Sequence, residues 1–403
     1  MGVRQTRRKH KLKIKNIKRF FLSSALSLLI LILIFAVIYS KLGDKKVSKN
    51  TNGNKGISTE NKDKTNKKGT SSKDKKASKE ENKEDTYSEV LINSVGDCTI
   101  GTDTKFAYST SLPCMLEKNN NDFSYFFKNV SSIFKNDDLT IANLETTFTN
   151  ATVKKQKNFN FKADPSYAKA LKLGSIESVN ISNNHIYDYL DKGFQDTKQA
   201  LKTQQILYFG EGEKVIKNIK GENFGLLGYQ AWSGSKEFLN KLKKDINELK
   251  SKNCTVIINF HWGAERQYEP NATQKNIAHF AIDNGADLII GHHSHVIQAI
   301  EKYKNKIICY SMGIFCFGGN SNPSDKDTFI LGTKFKFKDH KLQGYETKII
   351  PCSISSKSNI NDYCPTPAKG SEKERILNKI KNLSPTYKNN IKDEFLSVAS
   401  SKQ

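Results

Sequence analysis

The stretch GADLIIGHHSHVIQ, residues 285–298, holds His292, His293 and His295, three of the eight histidines in a 403-residue chain. They follow a short apolar run, Leu288-Ile289-Ile290, that reads as a buried strand. Four other apolar runs end in the same manner. Residues 90–95 lead into Gly96-Asp97-Cys98-Thr99, and residues 139–142 into Asn143-Leu144-Glu145. Residues 179–182 lead into Asn183-Asn184-His185, and residues 256–260 into His261-Trp262-Gly263-Ala264-Glu265. Carboxylate and amide oxygens favour Mg or Mn, while imidazole favours Zn, Fe or Mn, so a set that mixes them points to a divalent metal ion. Alternate side chains of extended backbone share a face, which would let His293 and His295 bind together while His292 points away. Each residue alone has an ordinary explanation, such as an Asp capping a turn or an Asn-Asn turn. Five such stations in one topological place are harder to dismiss, because ligands of open α/β sheets bind beyond the carboxyl ends of strands. If the strands share one sheet, these residues meet on one rim.

The elements that must position them alternate. Helical patterns occupy 122–134, 165–173, 191–204, 235–250 and 272–284, between strand-like runs. Such alternation over residues 88–355 predicts an α/β domain. Residues 328–337 and 344–350 read as hairpin strands without helices, so a two-sheet α/β sandwich fits better than one doubly wound sheet. Residues 356–403 form a C-terminal tail with helical stretches at 371–382 and 385–399, either packed on the domain or peripheral.

Residues 20–40 carry no charge over 21 positions, roughly 31 Å of helix, enough to cross a bilayer core. The apolar run is longer than a signal-peptide core and ends at a poor cleavage site, so it reads as a retained single-pass transmembrane helix. Residues 1–19 hold nine Lys/Arg and no acid, which places that basic segment in the cytoplasm and the remainder outside the cell membrane. Residues 41–86 hold fourteen Lys against eight Asp/Glu and almost nothing apolar. With residue 87 they read as a disordered polar linker. These two segments contain most of the net charge of +24, which argues against nucleic acid as a partner. Seven cysteines lie on the outer side, where oxidation is permitted. Cys98–Cys114 and Cys352–Cys364 are the preferred pairs by separation, with Cys254 a buried thiol.

Six stretches in order, GDCTIG, NLET, NNHIYD, HWGAE, GHHSHVIQ and YSMGIFCFG, resemble the CapA family of capsule (poly-γ-glutamate) biosynthesis proteins. That family's core looks like a metallophosphatase fold. The resemblance covers roughly residues 89–355. It implies a metallophosphatase-like two-sheet α/β sandwich and a part in making, exporting or anchoring an anionic polymer such as poly-γ-glutamate. Its partners would be other membrane subunits of a capsule synthase or export complex. It also implies metal-site positions: Asp97, Glu145, Asn184, His261, His293 and His295, with Mn, Zn or Fe as the ion. By the same resemblance His185 protonates a leaving group, and Asp188 would orient its imidazole from the same helix face. Glu265 is a candidate base or outer group. The implied chemistry is metal-assisted hydrolysis with His185 as general acid.

Four positions depart from the family pattern. Metallophosphatases usually carry Asp-x-His at the first strand, where this chain has Asp97-Cys98-Thr99, so a second metal site would be weak or empty. Ser294 stands where Pro is usual, Ile314 where Asn is usual, and Thr146 where Gly is common. Two functions therefore stand side by side. One is a metal-dependent hydrolase or transferase. The other is a non-catalytic polymer-binding and assembly subunit, to whose mildly basic domain a polyanion would be drawn over a Debye length of about 8 Å.

Overall fold

A computed structural model describes residues 85–398. The expected basic segment, the apolar segment 20–40 and residues 41–84 of the linker lie outside the described residues. Among the described residues, no helix is long and apolar enough to cross a membrane.

The described chain folds as two large mixed sheets, a small two-stranded sheet and helices, the α/β class expected. The strand Tyr87–Thr99 pairs in parallel with Leu139–Leu144, which is followed across the sheet by Ser178–Asn180 and Leu207–Phe209. Its other edge pairs antiparallel with Asp327–Lys338, which forms a hairpin with Lys341–Ser353. These belong to a nine-stranded sheet. A six-stranded sheet is built around Glu222–Gln230, Thr255–His261, Leu288–His292 and Lys306–Cys309, all parallel. The five polar stations are thus divided, three strands in one sheet and two in the other, rather than sharing a single sheet.

Burial explains why the strands read as unbroken apolar runs. Val90, Ile92, Leu139 and Ile141 of the first sheet share one cluster with Ile257, Leu288 and Ile290 of the second. The alternate residues Ala142 and Leu144 pack outward with Leu171 and Leu201, while Val256, Ile258 and Ile289 pack with Leu242, Ile246 and Ile277. The order is therefore helices, sheet, sheet, helices, and parallel strands covered on both faces lose polar alternation. Each fully buried aliphatic side chain contributes about 1.5–3 kcal/mol.

The helices follow local rules. Ser235 accepts the Phe238 N–H at the start of Lys236–Ser251, whose buried Leu242, Ile246 and Leu249 recur at helical spacing. Asn271 and Gln274 form a reciprocal capping box at the start of Ala272–Asp283. The pattern at 122–134 instead forms a 3₁₀ turn, Phe123–Phe127, and a one-turn helix, Ser131–Phe134. Asp122 caps the 3₁₀ turn by accepting the Ser124 N–H.

Residues 356–398 continue the domain. Tyr363 and Cys364 join the helix-side core, and Ile376, Leu377 and Ile380 of Gly370–Leu383 join the core between the sheets. The expected helix at 385–399 is absent among the described residues. Its place is taken by a 3₁₀ turn and the short strand Leu396–Ser397 on the hairpin. The expected disulfides are also absent: all seven cysteines are buried and free. Cys98 lies inside a central strand with Sγ toward the Gly96 carbonyl at 3.7 Å, and Cys364 Sγ meets the Tyr125 carbonyl at 3.3 Å. Packing, not separation along the chain, decides where those sulfurs point.

Candidate metal centre and its cleft

Two tight crossings bring the strand ends together. A Cβ on Gly96 would lie 2.1 Å from the Gly313 carbonyl oxygen, and one on Gly291 would lie 1.9 Å from that of Tyr310. No other residue fits either place. Directly after Gly96, the Asp97 N–H donates to Gly313 O at 3.0 Å. The side chain of Asp97 is fully buried. Its Oδ1 accepts from Asn143 Nδ2 at 2.8 Å, and Oδ2 accepts the His293 N–H at 3.1 Å.

Glu145, also fully buried, joins the two sheets. Its Oε1 lies 3.5 Å from His261 Nε2 and its Oε2 lies 3.4 Å from His295 Nε2. His261 Nε2 is also 2.7 Å from Asn184 Oδ1. Two three-residue groups have their ligand atoms within 4.8 Å of one another: Asp97, Glu145 and His261, and Glu145, His293 and His295. Glu145 belongs to both. The structure thus brings together all six residues of the expected metal set.

The donor chemistry fits a divalent cation. Glu145 Oε1 and His293 Nδ1 are buried with no hydrogen-bond partner among the described residues. The ion pairs of Asp97 and Glu145 among the described residues are all with histidines. Burial holds His261 well below the usual imidazole range, helped by the surrounding histidines, and burial also lowers His293. Neutral imidazole is the ligand form. Burial pushes His295 down as well, but Glu145 and Asp97 outweigh it and bring it up to about 9. The local field therefore demands positive charge. Asn143 Nδ2 approaches His261 Nδ1 at 3.3 Å, an arrangement in which Nε2 carries the proton donated to Asn184. A cation held at Nε2 would release that proton.

His292 corrects the alternation expected for the histidine cluster. The backbone after it is not extended: His293 has φ +92° and His295 φ +58°. Such conformations cost about 1–3 kcal/mol each and persist where the surroundings impose them. His292 is not turned away from the site. Its Nδ1 lies 3.2 Å from Asp97 Oδ1 and its Nε2 lies 2.9 Å from Asn259 Oδ1.

His185 stands beside this group. Its Nδ1 lies 2.7 Å from Asp188 Oδ2, which leaves Nε2 for the cleft that His185 lines. The pairing is made across a turn, since the helix begins only at Leu190. The Asp188 N–H donates to the His185 carbonyl at 3.1 Å, so the i,i+3 contact needs no helix. Lys157 Nζ reaches Asp188 Oδ1 at 2.6 Å, His185 Nδ1 at 3.2 Å and the Asn184 carbonyl at 2.9 Å. Glu265 is exposed on the wall of the cleft that His185 and His295 also line, where its charge acts on His293 and His295; the cleft has a volume of about 320 Å³.

Sequence reasoning passed over Asn143, His292 and Lys157. Asn143 carried a visible signal, a polar residue closing a buried strand two places before Glu145. Lys157 lies in an irregular segment and carried none. Two departures are also located. Thr99 Oγ1 donates to the Glu145 carbonyl at 3.1 Å, so no imidazole enters there. Ile314 lies in register beside Asp97 and lines the cleft, an apolar contact at the centre's edge.

The sequence model of the family described as bacterial capsule synthesis protein PGA_cap matches residues 91–319, more than half the chain. The chain belongs to that family. This PGA_cap chain is 32% identical over 220 residues to the capsule biosynthesis protein CapA of Bacillus anthracis, covering 48% of this chain and 54% of that one. It is 31% identical over 214 residues to the PGA biosynthesis protein CapA of Bacillus subtilis (strain 168), covering 47% and 56%. It thus spans about half the length of the curated relatives it matches. A purple acid phosphatase from yellow lupin (Lupinus luteus) seeds shares 10% identity over 70% of this chain and 57% of its own, at a TM-score of 0.34. That likeness is too slight to carry a statement about fold or activity. Every residue of the two groups that could hold a metal ion lies within the matched segment.

Proposed function

We propose that this PGA_cap chain is a metal-dependent hydrolase or transferase in the biosynthesis or export of a capsule polymer of the poly-γ-glutamate type. Its fold would be of the metallophosphatase kind. A single-pass helix at residues 20–40 would anchor it in the cell membrane with the domain outside. The observation that carries the catalytic reading is Glu145, a buried carboxylate set between His261 and His295 whose Oε1 accepts no hydrogen bond among the described residues. Asp97, Glu145, Asn184, His261, His293 and His295 would hold the ion. When bound, a divalent ion supplies Lewis acidity and lowers the pKa of a bound water. Asp188 holds His185 by Nδ1, so that Nε2 can carry a proton to a leaving group in the cleft. Lys157 fixes both partners of that pair.

A second reading, a polymer-binding assembly subunit, is favoured by Thr99, which puts no imidazole where metallophosphatases usually carry one, and by Ile314, an apolar side chain where the family pattern has Asn. Metal content of the full chain decides between them. Elemental mass spectrometry should find stoichiometric Mn, Zn or Fe, lost in a His293→Ala/His295→Ala variant that remains folded. Metal absent from the parent chain after supplementation would leave the assembly reading as the better account.

A further inference from the structure

Beside the candidate centre lies a wall with no part in metal binding. Phe106, Phe159 and Phe161 form a three-ring cluster in which every pair is stacked. Ring centroids are 5.4 Å apart for Phe106–Phe159 and 6.3 Å for both Phe106–Phe161 and Phe159–Phe161, with interplanar angles of 22°, 21° and 4°. Phe159 is 42% exposed, so one ring of the cluster meets solvent, with Lys105 Nζ 5.6 Å from its centroid. Phe161 lies 4.4 Å from the His185 ring; a further ring, Phe317, lies 6.5 Å from Phe161 and 4.8 Å from the His295 ring. The cluster therefore reaches from the surface to His185, and Phe317 continues it to His295, both on the cleft.

Arg266 lines the same cleft. Its backbone is left-handed, φ +62°, and its N–H donates to the carbonyl of Ser294 at 2.8 Å, between His293 and His295. Its Cα is thus tied to the metal-side loop. No hydrogen bond or ion pair engages its guanidinium among the described residues. Asp325, on the same cleft, is already held by Lys379 at 2.7 Å and by the Tyr268 hydroxyl at 2.8 Å. An unpaired guanidinium grips a carboxylate through two parallel hydrogen bonds. A flat aromatic face accepts a planar amide.

The geometry points to a substrate subsite for an acidic acyl chain, in which Arg266 takes a side carboxylate and the Phe106, Phe159 and Phe161 cluster takes the planar amide next to it. A γ-linked glutamate chain carries both groups in every repeat. This subsite rests on the proposed reaction only in placing the chain's scissile bond next to His185; binding itself does not require turnover.

The test uses the full chain and two probes, a short γ-linked glutamate oligomer and the same oligomer with its α-carboxylates amidated. Calorimetry should show the acidic oligomer binding and the amidated one binding more weakly. Arg266→Ala should weaken the acidic oligomer by about ten- to a hundredfold and leave the amidated one unchanged. Arg266→Lys should restore part of the loss. Phe159→Ala should weaken both oligomers several-fold. Equal binding of the two oligomers, an equal effect of Arg266→Ala on both, or no binding at all overturns the subsite. Metal content and turnover, measured in parallel, separate the two proposals. Arg266-dependent binding without metal leaves the subsite standing and removes the hydrolytic reading. Metal and phosphoester turnover without oligomer binding does the reverse.

Discussion

At the scale of single residues, Glu145 has the sharpest consequences. A fully buried carboxylate faced by imidazoles alone among the described residues carries a desolvation cost of several kcal/mol. A bound cation would offset that cost. With metal present, Glu145→Gln should lower Tm, and it should weaken metal affinity by more than the ~10–100-fold typical of residues that only support a ligand. In the metal-free chain it takes a counter-charge from His295 and should lower Tm by less, because Asp97 also faces that imidazole. Calorimetry with and without added metal checks the difference, and an equal fall in both conditions would make Glu145 a structural residue. His185→Ala should leave metal content intact and reduce turnover by about 10²–10⁴-fold, the usual range for a positioned general acid. Unchanged function in that variant would favour the assembly role. The ligand types were legible because each closes an apolar run. The orientation of His292 was not, because it depends on the left-handed turn at His293 and His295.

At the scale of elements, the strand Leu139–Leu144 carries a charge problem at the end opposite the metal centre. Asp137 accepts from Asn93 Nδ2 and from Thr140 Oγ1, both at 2.7 Å, and so ties this strand to Tyr87–Thr99. Burial, with the nearby Glu177 carboxylate, raises Asp137 from 3.8 to about 7. The folded state thus holds a proton that the unfolded chain releases at lower pH. The stability from this proton is full below about pH 4, declines as pH rises, and is gone above about pH 7. Asp137→Asn should flatten that decline, which urea midpoints measured across this window will show. An unchanged slope would mean the carboxylate ionises without penalty. Neither the strand nor its turn announced this in the sequence, where Asn136-Asp137-Asp138 reads as an ordinary polar turn.

At the scale of the whole molecule, the segment after residue 355 is part of the core. Ile380 is fully buried between the sheets with Ile376, and Ser384 Oγ accepts the Ile300 N–H at 2.8 Å. Ile380→Ala should cost about 2–5 kcal/mol, read as a drop in thermal or urea midpoint. A loss below about 0.5 kcal/mol, the level of an ordinary surface change, would mean the helix is peripheral. The helical period was readable at 371–382, but which surface covers it was not. That depends on the hairpin Asp327–Lys338 and Lys341–Ser353, whose pairing brings distant residues under the helix.

Composition and periodicity alone determined the α/β class, the main strands and helices, and the kinds of residue at the strand ends, because these depend on neighbours along the chain. The order of six motifs pointed to the family. Tertiary structure decided the rest. It divided the five stations between two sheets, placed Glu145 between His261 and His295, turned His292 onto Asp97, and left seven thiols unpaired. Each of those facts depends on a contact between residues far apart in the chain, and no local pattern encodes the direction a side chain takes after a left-handed turn or a crossing of two glycines.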